Sequence, residues 1–118
     1  MAPEPRLQIR LYFGEAMFGP GKALMLELIR DHGSISAAGR AMQMSYKRAW
    51  GLVEEMNAMC QTPLVASARG GPGGGGATVT AAGLAVLAHY RAIEAHTAAA
   101  TDIAALTGIF KSDIPAWK

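Results

Sequence analysis

Basic and hydroxyl-bearing side chains crowd the start of the segment from Ser45 to Cys60, whose apolar residues recur at helical spacing. Lysine and arginine can bind O6 and N7 of guanine, and hydroxyl groups suit phosphates or base edges. A helix that enters the major groove of DNA needs such groups in its first turns. The groups in question are Ser45, Tyr46, Lys47 and Arg48. We interpret the segment as a DNA-reading helix, although an ordinary core-facing helix has the same apolar stripe.

The helical spacing divides this segment into two sides. The side predicted to face the core comprises Tyr46, Leu52, Val53, Met56, Met59 and Cys60. The side predicted to face solvent comprises Lys47, Gly51, Glu54, Glu55 and Ala58. Trp50 and Arg48 lie on the two borders, and for Trp50 packing is favoured over a contact with DNA.

The distribution of charge is more informative than the net charge of +2. Between Ser34 and Ile93 the only acidic residues are Glu54 and Glu55. The basic residues of the same span are Arg40, Lys47, Arg48, Arg69 and Arg91. A local positive field of this kind favours a polyanionic partner, and an ordinary solvated surface is the alternative explanation.

Two elements are predicted ahead of the helix-turn-helix. The segment Leu7 to Phe13 alternates between apolar and polar residues, which predicts a half-buried strand, and Gly14 to Gly19 is expected to be a connection. Pro20 suits the first position of a helix, and Gly33 can end that helix in a left-handed conformation. Lys22 is expected on the outer side of this helix.

A second, slim helix is expected between this helix and the reading helix. Ser34 and Ser36 are both candidate N-caps for it, and it extends through Met42. Gln43 and Met44 form the predicted turn, after which Ser45 caps the reading helix. The pattern is that of a helix-turn-helix.

A glycine-rich hairpin and a long helix follow. Strands at Leu64 to Ala68 and Ala77 to Thr80 flank a run of glycines from Gly70 to Gly76, which predicts a wing whose backbone can approach phosphates. A nucleotide-binding loop is disfavoured because the glycines are not followed by Lys and Ser or Thr. Thr80 is a plausible cap for a final helix from Ala81 to about Leu106.

This final helix would be about 39 Å long, more than the core of one small domain needs. It carries a heptad-like seam that predicts a dimer interface. The seam residues are Val86, Tyr90, Ile93, Thr97 and Ala100. The sequence thus predicts a mainly α fold with a small β component, a winged helix-turn-helix at residues 1–80, a dimerisation helix at 81–107 and a flexible tail at 108–118.

Four stretches together resemble the N-terminal DNA-binding domain of the ModE family, molybdate-responsive bacterial regulators with a winged, LysR-type helix-turn-helix. They are GSISAA at 33–38, MSYKRAW at 44–50, EMN at 55–57 and GGPGGGGA at 70–77. The resemblance implies a homodimer that binds a palindromic operator through the matching residues of the reading helix and the wing from Arg69 to Gly76. Because the sequence stops where a molybdate-binding domain would begin, the resemblance is to stand-alone forms, and direct molybdate binding is not expected.

The predicted DNA contacts extend beyond the reading helix. They are Ser36, Arg40, Ser45, Tyr46, Lys47, Arg48, Arg69, Gly71, Gly73 and Gly74. No catalytic residues, metal site or cofactor are predicted, and a single cysteine and the lack of a signal-like N-terminus favour a cytoplasmic protein. The alternative is a winged-helix scaffold that binds an oxyanion such as molybdate or tungstate, or another protein.

Overall fold

A computed structural model describes residues 2–68 and 76–116. Along the chain, these residues form two strands, three helices, two further strands and two further helices. The strands are β1 (Leu11–Phe13), β2 (Ala16–Phe18), β3 (Val65–Ala68) and β4 (Gly76–Val79). The helices are α1 (Pro20–His32), α2 (Ile35–Ala41), α3 (Tyr46–Met59), α4 (Ala81–Ala98) and α5 (Thr101–Thr107). This is the winged helix-turn-helix arrangement predicted from the sequence.

The N-terminus differs from its prediction because it forms a hairpin rather than one strand. β1 pairs antiparallel with β2, so the expected connection from Gly14 to Gly19 contains a strand. Gly14 makes the tight turn possible with φ of +67°, a conformation that glycine adopts without strain. Residues 7–10 keep the predicted alternation of half-buried and exposed side chains but form no strand.

α1 begins and ends as predicted. Pro20 is its first residue, and Gly33 closes it with φ of +71° and donates its N–H to the carbonyl oxygen of Ile29. Lys22 contradicts the prediction, because it is only 5% exposed. A buried ammonium group needs a partner, and Glu55 supplies it at 3.0 Å.

The helix-turn-helix is closely packed because one residue lacks a side chain. A Cβ atom added to Gly39 of α2 would lie 2.9 Å from Cβ of Ala49 in α3. Ser34 rather than Ser36 caps α2, accepting a hydrogen bond from the N–H of Ala37 at 3.1 Å. Gln43, in the predicted turn, has φ of +58°.

The wing strands are fastened at their base to the rest of the domain. β3 and β4 pair from Val65 opposite Val79 to Ala68 opposite Gly76. The N–H of Ala77 donates to the carbonyl oxygen of Gly33 at 2.9 Å. Thr80 caps α4 as predicted, accepting from the N–H of Gly83 at 3.1 Å.

The predicted continuous helix from Ala81 to Leu106 is wrong, because the helix ends at Ala98 and α5 begins at Thr101. Ala100 between them has extended backbone angles, φ of −66° and ψ of 129°. Residues 98–102 are all exposed, so only intrinsic helix propensity favours continuation of α4. α5 buries no residue among those described.

The core lies where α1, α3 and α4 meet beneath the wing strands. Its largest fully buried side chains are Met25, Leu26, Ile29, Met56, Leu64 and Tyr90. α1 supplies three of them and packs against α2 and α4, and the reading helix packs against α2. Within the described residues no helix combines the length and apolarity that a membrane span needs.

Candidate nucleic-acid interface

The first turn of α3 is capped by the side chain of Ser45. The hydroxyl oxygen of Ser45 accepts a hydrogen bond from the N–H of Arg48 at 3.1 Å, as predicted for the N-cap. The remaining N–H groups of the first turn add partial positive charge at this end, which attracts anions such as phosphate. This end of α3 contains no acidic residue that would oppose the attraction.

α3 presents opposite sides to the core and to solvent. Ala49, Val53 and Met56 are buried, and the basic pair Lys47 and Arg48 is exposed. The five residues predicted to face solvent are all exposed. A shallow depression of about 490 Å³ runs along this side. It is lined by Ser45, Lys47, Arg48, Gly51, Leu52 and Glu55.

The two aromatic residues of α3 form a pair at the edge of this surface. The rings of Tyr46 and Trp50 meet edge to face with centroids 6.1 Å apart. The prediction that Tyr46 faces the core is wrong: the residue is 59% exposed, and it is the first residue of α3. Trp50 is half-buried and packs against the core, as favoured from the sequence.

α2 adds a second basic group near the reading helix. The guanidinium of exposed Arg40 donates a hydrogen bond from Nη1 to the hydroxyl oxygen of Ser36 at 2.8 Å. Ser36 therefore orients a cation instead of capping the helix. Both residues are predicted DNA contacts, and in this arrangement their polar groups form one exposed unit on α2.

The strands at the base of the wing are described, and residues 69–75 lie outside the described residues. The predicted contacts Arg69, Gly71, Gly73 and Gly74 lie outside the described residues. The strands that carry them are described, and β3 is tied directly to α3.

Asn57 makes that tie and is a residue whose role the sequence analysis missed. Its Oδ1 accepts hydrogen bonds from the N–H groups of Leu64 at 2.8 Å and Val65 at 3.1 Å. Its Nδ2 donates to the carbonyl oxygen of Val65 at 3.1 Å. The signal was present, because asparagine is a poor residue for a helix interior unless its amide has a partner.

Lys22 is a second residue that the sequence analysis missed. Its ammonium group forms an ion pair with Glu55 of α3, whose side chain is 51% exposed and lines the depression. A lysine in the first turn of an amphipathic helix carries no signal of burial, so the pair is apparent only from the position of Lys22 next to Glu55 in the structure.

The predicted dimer seam is divided between the core and the surface. Tyr90 belongs to the core, because it is 2% exposed and its hydroxyl donates to the carbonyl oxygen of Ile9 at 2.6 Å. Burial raises the pKa of Tyr90 above its ordinary value. Val86 and Thr97 are half-buried, whereas Ile93 and Ala100 are exposed. Tyr90 is thus unavailable as a seam residue in this conformation.

An apolar groove of about 500 Å³ lies beside Tyr90, between the β1–β2 hairpin, the end of α3 and α4. Phe13, 64% exposed, and Ile93, 38% exposed, are among its lining residues. Cys60, half-buried, lines it as well.

Arg91 fixes α4 to α1 next to this groove. Its guanidinium donates two hydrogen bonds to the carboxylate of Glu27 and one to Glu94. The hydrogen bonds to Glu27, and to a smaller extent the one to Glu94, raise the pKa of Arg91 above its ordinary value, whereas burial acts in the opposite direction. In the described parts of the chain no three His, Cys, Asp or Glu side chains are grouped to hold a metal ion.

Comparison with known proteins found relatives, although the sequence matches no family model. The chain is 46% identical over 83 residues to the molybdenum-pterin-binding protein MopB of Rhodobacter capsulatus, covering 70% of this chain and 31% of that protein. It is 40% identical over 78 residues to the molybdenum transport protein ModE of Azotobacter vinelandii, covering 66% and 29%. It is 39% identical over 71 residues to the DNA-binding transcriptional dual regulator ModE of Escherichia coli K12, covering 60% and 27%.

The chain therefore spans about a third of the length of the curated relatives that it matches. Their names describe regulators and molybdenum-related binding or transport proteins, and none is the name of an enzyme.

Proposed function

The chain belongs to the ModE family over the segment that it shares with these relatives, and from that premise we propose that it is a sequence-specific DNA-binding transcription regulator. The observation that carries the proposal is the two-sided structure of α3. One side is buried in the core, and the other presents Lys47 and Arg48 beside a capped, acid-free helix start.

Each exposed group has a role that follows from its chemistry. Lys47 and Arg48 read guanine through O6 and N7, because long cationic side chains at the start of a helix reach base edges in the major groove. Arg40, Ser36 and Ser45 bind phosphates, since contacts from α2 and from a helix N-terminus fix the protein on the backbone. The wing from Arg69 to Gly76 supplies a further backbone or minor-groove contact.

The regulator acts as a homodimer on a palindromic operator, with two copies of α3 about one DNA turn apart. The apolar groove beside α4 supports this part of the proposal, because exposed Phe13 and Ile93 form a contiguous apolar surface that association would cover. Ile93, Val86 and Thr97 remain seam residues on α4, whereas Ala100 lies beyond the end of this helix and leaves the seam. Tyr90 contributes only by shaping the groove from inside.

Selection of bound sequences from random DNA tests the proposal, followed by gel-shift titration of the enriched duplex. The double variant Lys47→Ala/Arg48→Ala is expected to bind the enriched duplex at least 10-fold more weakly, since each base contact contributes about 1–3 kcal/mol. The matched control is Arg6→Ala/Lys111→Ala, which removes the same charge from two exposed positions away from α3.

The control should lose much less affinity than the α3 variant. Equal losses for the two double variants would mean that the protein binds DNA through net charge alone. If the wild type enriches no sequence, the proposal fails.

The second candidate function is oxyanion binding, favoured by the name of the relative MopB, a molybdenum-pterin-binding protein. Calorimetric titration of the protein with molybdate and tungstate tests it. Stoichiometric heat would favour this candidate, and the DNA selection repeated with molybdate would show whether the two functions are coupled.

A further inference from the structure

An acidic side chain, Glu55, lines the same depression as Lys47 and Arg48. Its side chain is 51% exposed, and its Oε2 lies 3.0 Å from Nζ of Lys22, whose side chain is only 6% exposed. The carboxylate therefore connects the interior of the domain with the surface that faces DNA in the proposed function. Glu54, its neighbour, is exposed and forms no ion pair with any described residue.

The ion pair restricts the orientation of the carboxylate. The aliphatic part of the Lys22 side chain is buried in the domain, so its ammonium group cannot move with Glu55 when that side chain changes its conformation. Glu55 must keep Oε2 directed at Nζ, because separating the pair would leave a buried cation uncompensated. Oε1 receives no hydrogen bond from the described residues and remains a hydrogen-bond acceptor.

A fixed acceptor at this place has a specific partner in DNA. In the major groove cytosine presents its N4 amino group as a donor, and carboxylates accept from it. Glu55 follows Lys47 by eight positions, about 12 Å along α3, so it reaches a different base pair from the one read at the helix start. Gly51 between them has no side chain, and nothing lies within 4 Å of where its Cβ would be.

We propose that Glu55, oriented by Lys22, is a specificity-determining residue that reads a cytosine of the operator through its N4 amino group. The inference rests on the proposed function, in which α3 occupies the major groove. Lys22 acts as a positioning residue: it touches no base and determines where the acceptor lies. It also offsets the negative charge that Glu55 would otherwise present to the phosphates.

The competing explanation is that Glu55 serves only as a structural partner for Lys22. The two explanations differ in what a substitution changes. A structural partner affects the stability of the domain and leaves the preferred DNA sequence unaltered. A base-reading residue changes the preference at one operator position and leaves the others alone.

The experiment is selection from random DNA with the wild type and three variants, followed by affinity measurements on single-base substitutions of the enriched duplex. Glu55→Gln keeps an acceptor for Lys22 and so preserves the fold. Lys22→Met/Glu55→Gln removes the buried cation together with its partner. Glu54→Gln is the matched control, since it makes the same charge change one residue away. Thermal unfolding confirms that each variant is folded at the assay temperature.

The wild type is expected to prefer cytosine at one position by about 5- to 150-fold over the other bases. Glu55→Gln should lose this preference, because its amide oxygen is held by Lys22 and its remaining group, an NH2, cannot accept from N4 of cytosine. The Lys22→Met/Glu55→Gln variant should lose it too, whereas Glu54→Gln should keep it.

An unchanged preferred sequence in Glu55→Gln would overturn the inference and leave the proposed function intact. The inference also fails if Glu54→Gln and Glu55→Gln alter the preferred sequence alike. Failure of the wild type to enrich any sequence is a failure of the proposed function itself, so the two outcomes are distinguishable.

Discussion

The hydroxyl of Tyr90 donates a 2.6 Å hydrogen bond to the carbonyl oxygen of Ile9, which lies 81 residues earlier in the chain. The ring of Tyr90 also meets Phe18 of β2 edge to face, with centroids 5.2 Å apart. One side chain of α4 thus fastens both the N-terminal segment and the first hairpin to the core.

Tyr90→Phe is expected to make stability less sensitive to alkaline pH. Burial raises the pKa of Tyr90 in the folded protein above the ordinary value of about 10 that it has when unfolded. The contribution of the Tyr90 hydroxyl to stability is therefore complete below pH of about 10, and it is lost as the pH rises through the pKa that Tyr90 has in the folded protein. Below pH of about 10, Tyr90→Phe should be less stable than the wild type by about 1 kcal/mol, and this difference in stability should shrink toward pH of about 11.

Urea unfolding between about pH 8 and pH 11 measures this effect. Tyr12→Phe is the control, because Tyr12 is 67% exposed. A stability difference between wild type and Tyr90→Phe that stays constant over the whole range would contradict the prediction.

Asn57→Ala is expected to lower the free energy of unfolding by about 2–3 kcal/mol, since two N–H groups and one carbonyl of the wing base lose their partner. Asn57→Asp keeps the acceptor and should cost less. Chemical denaturation gives both values, with exposed Gln61→Ala as the control. A loss for Asn57→Ala no larger than that of the control would show that the amide does not hold the wing.

Two glycine substitutions are expected to have opposite effects on stability. A Cβ at Gly83 would overlap the carbonyl oxygen of Leu64 and lie 2.6 Å from Cγ1 of Val79, so Gly83→Ala should cost about 2–3 kcal/mol. A Cβ at Gly51 meets nothing within 4 Å, so Gly51→Ala should gain up to about 1 kcal/mol of helix propensity. Thermal unfolding compares them, and equal melting temperatures would refute the steric argument.

Much of this fold could be predicted because the signals were local. Pro20 and Gly33 mark the ends of α1, and Ser45 and Thr80 cap α3 and α4, each through chemistry that involves only neighbouring residues. The helix-turn-helix followed from the caps and the turn of two successive helices, and its exposed basic surface followed from spacing along α3.

The misplaced elements depend on contacts between distant residues. The strand at Ala16–Phe18 is too short for alternation to reveal it, and its pairing depends on the turn at Gly14. Burial of Lys22 depends on Glu55, and burial of Tyr90 depends on Ile9. The end of α4 at Ala98 lies in an alanine-rich stretch whose composition favours helix, and it reflects missing packing.

Ile93→Glu is expected to convert the proposed homodimer to monomer, because it places a charge on the exposed part of the apolar groove. Sedimentation velocity measures the change. Ala92→Glu is the matched control, since this exposed position carries the same charge outside the groove lining.

If the Ile93→Glu variant remains a dimer, the interface lies on another face of the domain. Dissociation of Ala92→Glu as well would point to a general charge effect. The pair of variants therefore locates the interface as well as testing for it.

The solvent side of α3 also has an evolutionary consequence. Lys47, Gly51 and Glu54 make no described contact that supports the core, so exchanging them changes what the domain recognises at little cost in stability. Duplicated copies of such a gene can acquire new operators through a few substitutions while the scaffold is conserved. Glu55 is the exception, because any replacement must also satisfy Lys22: glutamine keeps an acceptor for it, whereas a residue without an acceptor requires a second mutation at Lys22.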